Sequence, residues 1–195
     1  MGIIPEVTSL QLIRPRRIVD DRGWFCEVYS QAALGMLGIS DVFVQDNHSL
    51  SKPAGTIRGL HFQAPPYAQA KLVRCIRGRI YDVAVDLRTS SPTYGKWAGA
   101  ELSNENGFQL YIPVGFAHGF ATLEPDCEIG YKVTEVYTPS ADGGIRWDDG
   151  DLSIDWRLPS GLKPTLSQKD QNLPPFASFV SPFGYDGFPM ETLIP

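Results

Sequence analysis

The stretch KLVRCIRGRIYDVAVDL, residues 71–87, decides the fold class. From Arg79 onward it alternates, with Tyr81, Val83, Val85 and Leu87 on one face and Asp82, Ala84 and Asp86 on the other. Successive side chains of a strand point to opposite faces, so a period of two reads as β-structure. Gly78 separates this run from the preceding apolar run 71–77 and marks the turn from one strand into the next.

The same pattern extends outward. Nineteen Gly and 16 Pro break the chain into short runs rich in Val, Ile, Tyr and Phe, as in an all-β sandwich or barrel. Further strands are expected at 10–19, 24–29, 42–50, 57–62, 109–112, 119–123 and 128–136. One short helix is expected at 31–37, with Ser30 as its N-cap and Gly38 as its stop. There is no βαβ rhythm and no internal repeat. Strand number and spacing favour a jelly roll of two packed antiparallel sheets. Residues 171–195 depart from this pattern, with five prolines, five aromatics and no Lys or Arg. Proline density excludes regular helix or central strand there. The aromatics are ill suited to a free tail, so the segment is expected to lie extended over the barrel or over a partner subunit.

At 195 residues, one domain spanning 1–195 is expected. Hydrophobic residues make up 43% and charged residues 20%, which is an ordered globular composition. A net charge of −5 argues against a nucleic-acid-binding face. A few arginines in a cleft are still able to hold a small anion. Cys26, Cys75 and Cys127 form no CxxC pair and point to a reducing, cytoplasmic setting with thiols in the core. The first residues lack a secretory apolar core, and no run reaches the length of a membrane span.

Four clusters carry possible chemistry. Gln45 and Asn47, and again His61 and Gln63, place polar side chains at strand spacing, as if lining a barrel interior around a ligand, with Arg58 and Lys71 close by in sequence. Pro113, Gly115 and His118 form a P-x-G-x-x-H pattern. Tyr131 and Tyr137 lie in EIGYKVTEVY, where strand aromatics usually serve packing, and Lys169 and Asp170 lie in LSQKD, where the default is surface charge. The chain has three His in all. A divalent site needs three or more ligands, and His61 and His118 supply two at most, so neither metal nor other cofactor is expected.

The P-x-G-x-x-H pattern resembles the second half of the cupin signature, with GLHFQ (59–63) in the place of the first half. Metal-binding cupins carry H-x-H there; this chain has Gln63 in place of the second His. In order, DDRGWFCE (20–27), FVQDNHS (43–49), IRGLHFQ (57–63), the run 68–88, SPTYGKW (91–97), the run 102–120, YKVT (131–134), GIRWDD (144–149) and LSQKD (166–170) resemble the dTDP-4-dehydrorhamnose 3,5-epimerase family. That resemblance implies a cupin-type jelly-roll β-barrel with short peripheral helices. It implies a nucleotide-sugar substrate whose C4 ketone acidifies the hydrogens on C3 and C5. His61 and Asp170 match the family's base dyad, Lys71 the group at the enolate oxygen, and Tyr131 the acid across the sugar. His118 matches a pocket residue. Arg22 and Arg58 match residues that hold the diphosphate, and Glu27, Gln45, Asn47 and Tyr137 match substrate-binding positions. A homodimer is implied, with the amino-terminal strand reaching towards the partner. Departures include Phe62, where Tyr is frequent, and a longer stretch after Val180. Three alternatives stay open: a single-carbon epimerase or ketoisomerase, a metal-dependent cupin, and a non-catalytic binder of nucleotide sugars.

Overall fold

Strand alternation builds two facing sheets in the computed structural model, which describes residues 9–185 together with Gly187, Phe188, Met190 and Leu193. The first sheet has five strands: β1 (Gln11–Ile13) at one edge, β4 (Gln45–Ser51) at the other, and β10 (Gln109–Ile112), β6 (Lys71–Arg77) and β12 (Cys127–Val133) between them. The second runs β13 (Asp142–Gly144), β5 (Ile57–Gln63), β11 (Phe116–Thr122), β7 (Arg79–Asp86) and β9 (Trp97–Ser103). Every pairing within both is antiparallel. The architecture is a cupin-type jelly roll. The described residues contain no helix long and apolar enough to cross a membrane.

Several sequence expectations change in detail. Strand 10–19 is two strands, β1 and β2 (Arg17–Asp20), because Pro15 falls between them and proline cannot donate to a ladder. β2 pairs instead with β3 (Gly23–Cys26) in a hairpin outside both sheets. β9 and β13 were not expected. Gly78, at φ +81°, does turn the chain between β6 and β7, but the two strands enter different sheets. α1 (Gln31–Met36) is the expected helix, and Ser30 Oγ accepts a hydrogen bond from the Ala33 amide at 3.3 Å.

β7 is buried on both faces. Tyr81, Val83, Val85 and Leu87 pack outward with Ile57, Leu60, Phe62 and Trp156, under the carboxy-terminal third of the chain. Ile80 and Ala84 point inward to the core between the sheets, against Val73, Leu110, Phe120 and Ile129. Asp82 and Asp86 share that inward face and are fully buried. Asp86 is held by Arg88 of β8 (Arg88–Thr89), at 2.8 Å, and by the hydroxyls of Ser91 and Thr93. Residues 171–185 lie against the barrel. Phe179 and Phe183 pack edge-on to Phe62 at 5.3 and 5.7 Å, and β14 (Phe183–Gly184) pairs in parallel with β8. Further on, Met190 and Leu193 pack against the core between the sheets.

A bulge in β5 sets the site. His118 faces His61 and Phe120 faces Arg58, so Gly119 alone opposes Gly59 and Leu60. Such a bulge changes the phase of alternation. Arg58 and His61, three residues apart, would otherwise point to opposite faces; here both turn toward the cavity, while Ile57, Leu60 and Phe62 join the outer core. Gly59 adopts φ +128°, and a Cβ on it would lie 2.5 Å from Gly119 Cα and 2.8 Å from the His118 carbonyl oxygen. Both obstacles are backbone and neither can swing away. Gly59→Ala should therefore destabilise the chain by roughly 2–4 kcal/mol, read as a lower urea midpoint. Gly150→Ala is the control, since a Cβ there meets nothing within 4 Å, and it should leave the midpoint nearly unchanged.

Candidate active site

Between the sheets, on the side of β4 and β5, lies a cavity of about 470 Å³. A smaller one of about 180 Å³ adjoins it and shares His61, Lys71, Tyr131 and Lys169. The polar lining follows from alternation. On β4, Gln45 and Asn47 line the smaller cavity and Ser49 and Ser51 the larger, while Asp46 and His48 are exposed. β5 contributes Arg58 and His61, β6 Lys71, β11 His118 and β12 Tyr131.

His61 Nε2 and Asp170 Oδ1 are 2.5 Å apart. Asp170 lies far along the chain, and backbone pairing brings it there. Thr165 bridges Thr56, and its carbonyl accepts the Ile57 amide at 3.0 Å. Ser167 then caps the short α2 (Gln168–Gln171). Its Oγ accepts the Asp170 amide at 3.1 Å and donates to Asp170 Oδ2 at 2.8 Å, an arrangement of the capping-box kind. Burial raises the Asp170 carboxyl, but hydrogen bonding and charge from His61, with Ser167 and Lys169, hold it below the usual carboxylate range. Asp170 is thus a buried anion whose two oxygens both have partners.

A second pair sits deeper. His118 Nε2 is 2.9 Å from Asp82 Oδ1, and both residues are buried. Burial pulls His118 below its ordinary value, assisted by the charges of Lys71 and His61 and opposed by Asp82, so the ring is neutral near pH 7. Lys71 is buried and pushed down to about 8 by desolvation, against Asp82 and Asp142. Its ammonium donates to the His61 carbonyl at 3.4 Å. Burial raises the Tyr131 phenol, and Arg58 partly offsets this. Tyr131 is therefore a neutral proton donor near pH 7, on the sheet opposite His61.

The other expected residues divide. Arg58 lines the larger cavity and donates to Ser51 Oγ and the Leu50 carbonyl, both at 3.2 Å. Gln45 donates to Asn47 Oδ1 at 2.8 Å and accepts the Tyr137 amide at 3.0 Å; Tyr137 lies at the smaller cavity. Arg22 and Glu27 line neither cavity. Arg22 is exposed beside the β2–β3 hairpin, paired with Asp20 at 2.6 Å, and Glu27 borders a separate pocket with Asp46 and Lys132. Gln63 has a scaffolding role. Its amide donates to the carbonyls of Tyr67 and Val136 and accepts the Thr138 amide.

Sequence reasoning missed Asp82, Asp142 and Ser167, and took Lys169 for a surface charge. Lys169 lines both cavities and pairs with Asp142. Two signals were available: the S-x-x-D spacing of Ser167 and Asp170, and an acid on the β7 face that also carries Ile80 and Ala84. Among the described residues, no three His, Cys, Asp or Glu side chains form a metal-binding group. The residues present suit a carbon acid held between a base and an acid on opposite walls, with a cation for the charge that forms.

Comparison with known proteins identifies the family. The family described as dTDP-4-dehydrorhamnose 3,5-epimerase matches residues 5–178. A dTDP-4-dehydrorhamnose 3,5-epimerase from Sinorhizobium fredii is 51% identical over 181 residues, 92% of this chain and 91% of its own. The crystal structure of the Bacillus anthracis enzyme of that name, with TDP and PPi bound, is similar at a TM-score of 0.83 and 50% identity, over 86% of this chain and 94% of that one. The Legionella pneumophila dTDP-6-deoxy-D-glucose-3,5-epimerase, in complex with dTDP-4-keto-L-rhamnose, gives a TM-score of 0.83 and 41% identity, over 92% and 94%.

Ser167 holds both the amide and the carboxylate of Asp170. Ser167→Ala should cost about 1–2 kcal/mol at pH 7. A carboxylate with a depressed pKa contributes stability that is complete above its unfolded value of 3.8 and is lost as pH falls through the lower folded value. The difference between variant and parent should therefore shrink as pH falls from 5 to 2, leaving the capping part. Urea melts across that range would show it.

Proposed function

The chain belongs to the dTDP-4-dehydrorhamnose 3,5-epimerase family, and we propose that its cavity carries out that isomerisation by passing protons between His61 and Tyr131. The substrate is dTDP-4-keto-6-deoxy-D-glucose. Its C4 ketone acidifies the hydrogens on C3 and C5, because the carbanion left behind delocalises onto oxygen as an enolate. His61 is the base. Asp170 accepts a hydrogen bond from Nε2–H, which leaves Nδ1 to take a proton from carbon, and it stabilises the imidazolium that results. Lys71 faces the enolate oxygen as an ammonium in a poorly solvated cavity, where a fixed charge acts strongly. Tyr131 returns a proton to the other face, and the configuration inverts. Arg58 and the polar side chains of β4 hold the diphosphate and sugar, and His118 lines the pocket floor.

One observation carries this reading. His61 and Tyr131 reach the same cavity from different sheets, with Lys71 beside both. The test is proton NMR of the substrate in D₂O without added metal. Deuterium should enter at both C3 and C5; entry at one carbon alone would replace the double epimerase with a single-carbon one. His61→Ala and Asp170→Ala should each slow exchange by at least about 10²-fold while leaving dTDP binding nearly intact. Wild-type exchange in His61→Ala would remove the base. Tyr131→Phe should still remove protons but form product slowly.

A homodimer and a cytoplasmic setting belong to the same proposal. Ile18, Val19, Trp24 and Phe25 on the β2–β3 hairpin are 56%, 75%, 56% and 69% exposed. Such an apolar surface favours burial against a partner. A second copy packed there would bring Arg22 and Glu27, which lie away from their own cavities, within reach of its substrate. The three cysteines are all free thiols, as a reducing compartment allows. Val19→Glu with Phe25→Asp should shift the sedimentation coefficient from dimer to monomer and lower exchange together. A variant that stayed dimeric would place the interface elsewhere.

A further inference from the structure

Asp82 occupies the middle of β7 on its inward face. Its ladder partners are Phe120 and Ala100, and it is fully buried. Packing alone would favour an apolar side chain here, because a carboxylate loses its hydration on burial. Oδ1 accepts the hydrogen bond from His118, and Oδ2 has no hydrogen-bond partner among the described residues.

Lys71, which lines the same cavity as the His118 ring that Asp82 holds, has the opposite problem. It is a buried cation whose ammonium, among the described residues, has one long contact, to the His61 carbonyl. The groups that surround it are otherwise occupied. Asp142 on β13 pairs with Lys169 of α2 and accepts from the Tyr137 hydroxyl. Asp170 pairs with His61 of β5 and with Ser167. His118 on β11 and Tyr131 on β12 are neutral. Among the described residues, no Lys or Arg contacts the Asp82 carboxylate directly.

We propose that Asp82 is a positioning residue of the epimerisation, anchoring the His118 ring and serving as the counter-charge that keeps Lys71 an ammonium inside the cavity. The inference rests on the role given to Lys71 above. Burial draws Lys71 down to about 8, and Asp82 is the largest influence opposing that fall. If the ammonium stabilises the enolate, activity declines as pH rises through the Lys71 pKa. Removing the charge of Asp82 lowers that pKa further, so the alkaline limb moves to lower pH. A merely structural role would reduce activity by the same factor at every pH.

The experiment follows the Lys71 Cε resonance by ¹³C NMR from pH 5.5 to 9.5 in the full chain, assigned with Lys71→Arg, and measures exchange rate over the same range. In Asp82→Asn the Lys71 midpoint should fall by about one unit or more, and the alkaline limb should fall with it. The loss of rate should then be roughly tenfold larger at pH 8.5 than at pH 6. Asp82→Glu keeps the charge; it should hold the midpoint near its parent value while lowering kcat, and it serves if the Asn variant does not fold. An unmoved midpoint in Asp82→Asn, or a lowered one in Asp82→Glu, would overturn the proposal and leave the reading of Lys71 untouched. A midpoint that falls while the rate profile stays put would remove Lys71 from the enolate, and the catalytic part of the proposal with it.

Discussion

The close approach of Gly59 to Gly119 is the constraint on which the site depends. Two backbones meet where neither residue has a side chain, and β5 gains one residue relative to β11. Upstream of the bulge, Ile57 faces the outer core and Arg58 the cavity; downstream, Leu60 and Phe62 face the outer core and His61 the cavity. In an unbulged strand these requirements conflict, because 57 and 60 would fall on opposite faces. The bulge also serves the carboxy-terminal third of the chain. Phe62 is the ring against which Phe179 and Phe183 pack, and Leu60 exchanges backbone hydrogen bonds with Ile145. The strand that presents the proposed base thus docks the segment that delivers Asp170.

Two His–Asp pairs within one barrel have opposite electrostatic settings. His61 is partly open to the cavity, and its carboxylate is satisfied on both oxygens. His118 is buried beside the cationic Lys71, and its carboxylate is bonded on one oxygen. That environment favours the neutral ring. The His118 ring, bonded through Nε2, therefore keeps a fixed tautomer, and burial and neighbours rather than residue type decide this.

Much of this was legible in the sequence. The alternation of residues 79–87, the cap at Ser30 and the polar spacing of Gln45 and Asn47 each follow from a local rule, and the structure obeys them. What was illegible depends on distant partners. The bulge at Gly59 exists because Gly119 lies opposite, and no local pattern announces it. β9 escaped notice because Ala98, Gly99 and Ala100 are too small to show an apolar period, yet Gly99 has room only for hydrogen where Tyr81 crosses it. β13 centres on Gly143 and Gly144, which carry no side-chain signal at all. The residues around Asp170 suggest only surface charge, and it is the family resemblance that pairs it with His61, because its burial comes from pairing between Thr165 and Thr56. Gln63 lines the smaller cavity, as its spacing from His61 suggests, but nothing local shows that its amide also holds three backbone groups and so fixes the loop that carries Tyr137.

The sandwich itself supplies the stereochemistry of the proposed reaction. Packed sheets lie about 10 Å apart, a gap normally filled by interdigitating side chains. Over most of this barrel Val73, Leu110, Phe120 and Ile129 fill it. On the side of β4 and β5, the facing walls carry His61 and Tyr131, with a cavity between them. That cavity, of about 470 Å³, opens where the apolar filling stops. In the proposed reaction, a sugar ring bound between the two walls would turn one face to His61 and the other to Tyr131, so that a proton taken on one side is returned on the other. Inversion then requires no movement of either residue, only that the two sheets keep their separation, which the adjoining apolar core enforces because close packing resists compression and voids alike.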